Sequence, residues 1–149
     1  MYPTILALHN IVRWLALILG ILAVVRSLIA WRQRQAWNVA DRRWGVFFSS
    51  AMDLQLLLGL LLYFFFSPLT RSALQDFGAA MGNPGLRFFA LEHALYMVLA
   101  VVFAHLGGVF VRRTGDEMIR HRTATLWYGL AVLLLLLGMP WNRPFFPGL

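Results

Sequence analysis

The sequence predicts an all-α integral membrane protein, a four-helix up-down-up-down bundle with both ends on the extracytoplasmic side. Three observations predict it. Of the 149 residues, 60% are hydrophobic, and the mean hydropathy is +0.70. A soluble domain of this length needs far more polar surface. Only 13% of residues are charged, and they gather in short stretches between apolar runs. Lipid-facing segments joined by wet loops have this pattern. Finally, the basic residues are all arginine and concentrate at one set of run ends.

The first run covers about residues 4–30, with Pro3 where a helix start tolerates proline. It is long enough, at about 1.5 Å per residue, to cross a hydrocarbon core of about 30 Å with some tilt. Its opening, MYPTILALHN, has no basic segment and no small-residue cleavage site. It reads as a retained span rather than a removed signal peptide. Residues 31–44, WRQRQAWNVADRRW, are polar and basic, with Trp31, Trp37 and Trp44 suited to the headgroup level.

The second run covers about 45–66 and ends at Ser67-Pro68. A longer outer connection follows, residues 67–86. It reads as a short interfacial helix over TRSALQDFGAAM and a break at Asn83-Pro84-Gly85. The third run covers about 87–111, the basic loop RRTGDEMIRHR follows, and the fourth run covers about 123–139. Pro140-Trp141 stops it, and the tail WNRPFFPGL is expected at the interface. The whole chain, 1–149, forms a single transmembrane domain.

Arginine placement sets the orientation. Arg26, Arg32, Arg34, Arg42, Arg43, Arg112, Arg113, Arg120 and Arg122 fall on one side, and Arg71, Arg87 and Arg143 on the other. By the positive-inside rule the first set is cytoplasmic. Short loops then make an up-down-up-down bundle the default. The net charge of +7 would suggest nucleic acid in a soluble protein. Here the arginines flank apolar runs, so anionic lipid headgroups are the expected partner and nucleic acid is not. The chain has no Cys. That excludes disulfides, thiolate-ligated iron–sulfur clusters and covalent haem c.

Titratable residues inside a span cost at least about 2.5 kcal/mol each on insertion scales, so each needs a reason. Span one carries His9 and Arg13, span two Asp53 and Gln55, span three Glu92, His93 and His105, and His121 sits at the mouth of span four. Spans one and three run in the same direction, which puts His9 and His93 at similar depth in the outer leaflet. At about 100° per residue, Ala16, Gly20, Ala23 and Ser27 share a face with His9. Ala100, Ala104 and Gly108 share one with His93. Each helix thus shows a histidine followed by a small-residue groove.

Two readings compete. One is close helix packing with histidine bonded across the seam. The other is a haem b held between the His9 and His93 imidazoles, with Ala16, Gly20, Ala100 and Ala104 making room for the macrocycle. Arg13 needs a partner. Glu92 is the carboxylate nearest in depth, giving a buried ion pair, a propionate clamp or an anchor for a quinone carbonyl. Asp53 reads as a satisfied polar contact near Ser49 and Ser50, half of an ion pair, or part of a proton path. Gln55 points almost opposite to it. His105 and His121 are weaker candidates for a second haem, and His121 in RHR also suits a lipid phosphate. No phosphate-binding loop, zinc-protease motif or nucleophile–base arrangement is present.

The elements LALHNIVRW, DLQLLLGLLLYF, LRFFALEHALYM, RHR and MPW together resemble a family of small four-span bacterial membrane proteins, some loosely labelled cytochrome b. The resemblance covers nearly the whole chain. It implies a b-type haem or quinone-linked role, and points at His9, Arg13, Gln55, Glu92, His93 and His121.

The leading expectation is therefore a membrane electron-transfer protein, quinol-linked or within a larger redox complex or homo-oligomer. It is a carrier or subunit rather than a stand-alone enzyme. The rival is a non-catalytic accessory subunit of a respiratory or photosynthetic complex, using the His/Arg/Glu cluster as interhelical glue or a pigment or lipid site. A third reading is a small proton-linked or substrate-linked carrier using Asp53 and Glu92.

Overall fold

The structure, a computed structural model, describes residues 1–141 and 143. Four helical stretches are long and apolar enough to cross a membrane: Tyr2–Arg32, Val39–Phe66, Pro84–Arg113 and Glu117–Gly138. The regular helices within and between them are α1 (Tyr2–Arg32), α2 (Val39–Leu61), α3 (Pro68–Gln75), α4 (Phe77–Met81), α5 (Pro84–Arg87), α6 (His93–Arg113) and α7 (Glu117–Gly138). No strand occurs among the described residues. The expected interfacial tail falls largely outside the described residues.

The buried positions explain how the helices meet. On α1 they include His9, Arg13, Ala16, Gly20, Ala23, Ser27 and Ala30. On α2 they include Asp41, Gly45, Phe48, Met52 and Gln55. On α6 they include Ala100, Ala104, Gly107 and Val111, and on α7 His121, Ala124, Tyr128, Ala131, Leu135 and Gly138. Each series alternates steps of four and three, the seam of a bundle with knobs-into-holes packing. The seam is rich in Ala and Gly, while large side chains such as Ile11, Ile18, Leu57, Val102 and Leu133 point outward. A water-soluble bundle has the reverse arrangement. Lipid on the outside and small residues at the contacts give this one.

α1 packs on α2 and α7, and α6 packs on the same two helices, so α1 and α6 face each other across the middle. A core of Phe48, Met52, Tyr128, Val132 and Leu135, with alanines between them, fills the centre.

Several boundaries differ from the sequence expectation. α2 starts at Val39 because Asn38 and Asp41 form a capping box, satisfying amides at the helix start. Arg26 closes onto Asp41 at 2.6 Å, tying α1 to that cap. α7 starts at Glu117 because the Asp116 side chain accepts from Ile119 N at 2.9 Å. The single interfacial helix expected after Pro68 is two. Asp76 leaves helical geometry and caps α4 through Ala79 N.

Two π-helical turns flank this outer connection, Leu62–Phe66 and Phe88–Glu92. Such turns widen a helix by one residue and mark functional sites often. The connection pins both. Thr70 Oγ1 donates to Tyr63 O at 2.8 Å, and Tyr63 donates its hydroxyl to Ala90 O at 2.7 Å. Ala73, Ala80 and Ala90 pack beneath as a small second core.

Candidate functional site

At the end of the bundle capped by α3–α5 lies a mostly apolar cavity of about 370 Å³. This volume lies within the range that holds small organic ligands and cofactors. α1 contributes His9, Asn10 and Arg13 to its wall, α2 contributes Gln55 and Gly59, and α6 contributes His93 and Met97. Arg143 closes it from beyond α7.

The two histidines meet across it. Their ring centres are 6.3 Å apart with planes at 65°. Similar depth, expected from the sequence, is what the structure shows. His93 sits directly after the second π-helical turn. Its Nδ1 lies 2.7 Å from Gly138 O. A carbonyl only accepts, so Nδ1 carries the proton and Nε2 keeps its lone pair. Gly138 permits this approach, since a Cβ there would lie 2.6 Å from Tyr96 Cβ and Met97 Cε.

His9 is fixed on the other side. Its Nε2 lies 3.1 Å from the Gln55 amide, and its Nδ1 has no hydrogen-bond partner among the described residues. Turning the Gln55 amide over, an assignment made from the network, lets Oε1 accept from Nε2–H. Nδ1 then holds a free lone pair. A buried nitrogen without a partner is accounted for by a ligand, an ordered water or strain.

Arg13 is buried, and its Nε has no hydrogen-bond partner among the described residues. The expected Arg13–Glu92 pair does not form. Glu92 instead accepts from Arg87 Nε at 2.7 Å, outside the cavity. Glu92 is the chain neighbour of His93 and so points about 100° away from it around the helix. Arg143 joins Arg13 on the wall, a residue that sequence reasoning did not single out. Its guanidinium lies over the Phe89 ring at 5.1 Å. Neither guanidinium meets a carboxylate among the described residues.

Four other expected residues lie elsewhere. Ala16, Ala100 and Ala104 are fully buried in the core. A Cβ on Gly20 would lie 2.7 Å from both Phe48 and Val132. None of the four lines the cavity, and the space beside Gly20 is filled by Phe48 and Val132. The two weaker histidines are also apart. His105 Nε2 pairs with Asp53 Oδ1 at 2.6 Å. His121 is fully buried against Trp37, with ring centres 4.9 Å apart. No hydrogen bond or ring contact joins His105 to His121, and His121 is too deep to reach a lipid phosphate.

The donor set defines what the cavity can hold. Among the described residues no group of three or more His, Asp or Glu converges anywhere. Structural and catalytic zinc sites use three or four protein ligands. His9 and His93 together offer two nitrogen donors, fewer than such a site uses. Two imidazoles sharing one metal at about 2 Å from each nitrogen have ring centres about 6 Å apart, as here. No family model, curated protein or solved structure matches the chain. The chain is a multi-pass membrane protein in its helices, with a cavity between His9 and His93 at the capped end.

Proposed function

We propose that the chain is a membrane electron-transfer protein that binds one b-type haem in the capped cavity. The observation that carries this is the facing of His9 and His93 at 6.3 Å across one cavity. His93 offers Nε2, because its Nδ1–H is held by Gly138 O. Such a backbone acceptor behind a ligating histidine fixes its tautomer and orientation. His9 offers Nδ1, with Gln55 in the same supporting role. Arg13 and Arg143 match the two propionates of a haem, since a guanidinium fork suits a carboxylate. When bound, haem supplies one-electron chemistry. The apolar wall keeps water from the ligands, and the arginines offset the propionate charge.

The orientation belongs to the same proposal. The capped end faces outward and the arginine-rich end faces the cytoplasm of a bacterium. The four helices alternate in direction. Anionic lipids, and a quinol or a larger redox complex, are the partners.

The test is a reduced-minus-oxidised spectrum of protein produced with ample haem. The expected result is a b-type α-band that His9→Ala and His93→Ala each abolish. A featureless spectrum sinks the proposal. One observation favours the rival accessory-subunit reading: both histidines also bridge helices, His9 to α2 and His93 to α7. In that case the spectrum is blank, and the histidine variants lose stability instead.

A further inference from the structure

A second cavity, of about 550 Å³, opens on the outer face of the bundle between α2 and α6. Its wall carries Ser49, Ser50, Asp53 and His105, and its mouth carries Arg42, Arg112 and Arg120. Tyr128 of α7 forms part of the floor. These are all the titratable and charged groups that line it.

The Asp53–His105 pair is the costly feature. Its side chains are 54% and 50% exposed, on helices whose other outward residues, such as Phe47, Leu54 and Val102, are large and apolar. At about 1.5 Å per residue, Asp53 lies roughly 16 Å below Arg42, and His105 roughly 10 Å below Arg112. Ionisable groups at such depth face the bundle interior or water. This pair faces outward, so packed protein does not satisfy it. Ser49 and Ser50 lie along the cleft wall and extend the polar surface from the rim toward the pair. The cleft is large enough for a file of waters, each taking about 30 Å³.

We infer that this cleft is an aqueous crevice, opening the Asp53–His105 pair to solvent at the arginine-rich end. Water is its ligand, and the pair is a proton-exchanging acid–base site within the span. His105 accepts a proton from crevice water and returns it there, with Asp53 holding the ring at Nε2. The guanidiniums at the mouth repel metal ions and organic cations. Nothing here depends on haem.

The absence of Cys makes the test direct. Ser50→Cys and, as an outward-facing control, Leu54→Cys are placed in proteoliposomes with an anionic, membrane-impermeant methanethiosulfonate. The expected result is full modification of Ser50→Cys from the arginine-rich side and none of Leu54→Cys. Equal protection of both overturns the inference, because the cleft is then dry or covered. Equal reactivity overturns it too, because the face is then outside lipid. Protein labelled with ¹⁵N-histidine supplies a second readout with no substitution. The His105 ring signal loses its proton to solvent when the buffer is changed from H2O to D2O, and a His105 ring proton that stays protected overturns the inference.

Discussion

At the scale of single residues, glycines decide whether the proposed haem site can be built. Gly138 lets the carbonyl that orients His93 come close, because α7 touches Tyr96 and Met97 there. Gly138→Ala forces a shift of α7. The expected outcome is a loss of about 1–3 kcal/mol from overpacking, read by thermal unfolding in detergent, with a weakened or altered b-type spectrum. Gly59 gives a cleaner probe. A Cβ there would sit 3.4 Å from His9 Cε1, an acceptable contact. Gly59→Ala should therefore keep the fold, whereas Gly59→Leu should fill the cavity beside His9. Haem content per protein after purification checks both. Full haem occupancy in Gly59→Leu would show that the macrocycle lies elsewhere. His9, Arg13, Gln55 and His93 were legible in the sequence, since ionisable and amide groups in an apolar run stand out at once. Arg143 was not, because nothing in a loop arginine tells which wall it will close.

At the scale of elements, Glu92 shares the depth of the cavity but not its face, because it stands next to His93 and about 100° round the helix from it. The second π-helical turn changes the register of the residues before it. No composition marks such a turn. Tyr63, near the start of the first, donates to Ala90 O within the second and ties α2 to the stretch that positions His93. Tyr63→Phe leaves that carbonyl without its donor. Removing one partner of such a bond costs about 1–3 kcal/mol. The expected outcome is a lower unfolding temperature and broader His93 signals in ¹⁵N-histidine spectra, with His121 at the far end unchanged. Uniform change at both histidines would place the damage in the whole bundle instead. The cap of α2, by contrast, has a sequence signature that the expected start at about residue 45 left out: Asn38 and Asp41 stand at spacing three.

At the scale of the whole molecule, the arginines and the bundle seam answer different questions. If the arginine-rich end is cytoplasmic, a reporter active only outside the cytoplasm signals from the N-terminus and is silent from the Thr114–Gly115 loop. The reverse pattern would invert the proposed sidedness and put the His9–His93 cavity inside. The sequence by itself determined that the chain is helical, membrane-spanning and free of thiol chemistry, because apolar length, charge clustering and the lack of Cys depend on no partner. It also determined that His9 and His93 share a depth, because rise per residue is fixed. Only the tertiary structure decided what each polar group meets. It gave Glu92 to Arg87 and His105 to Asp53, packed Ala16, Gly20, Ala100 and Ala104 into the core, and left Arg13 and Arg143 facing one cavity. The physical reason is that a helix fixes which residues share its own face, while the rotation and depth of the neighbouring helix, shifted here by two π-helical turns, fix what that face touches.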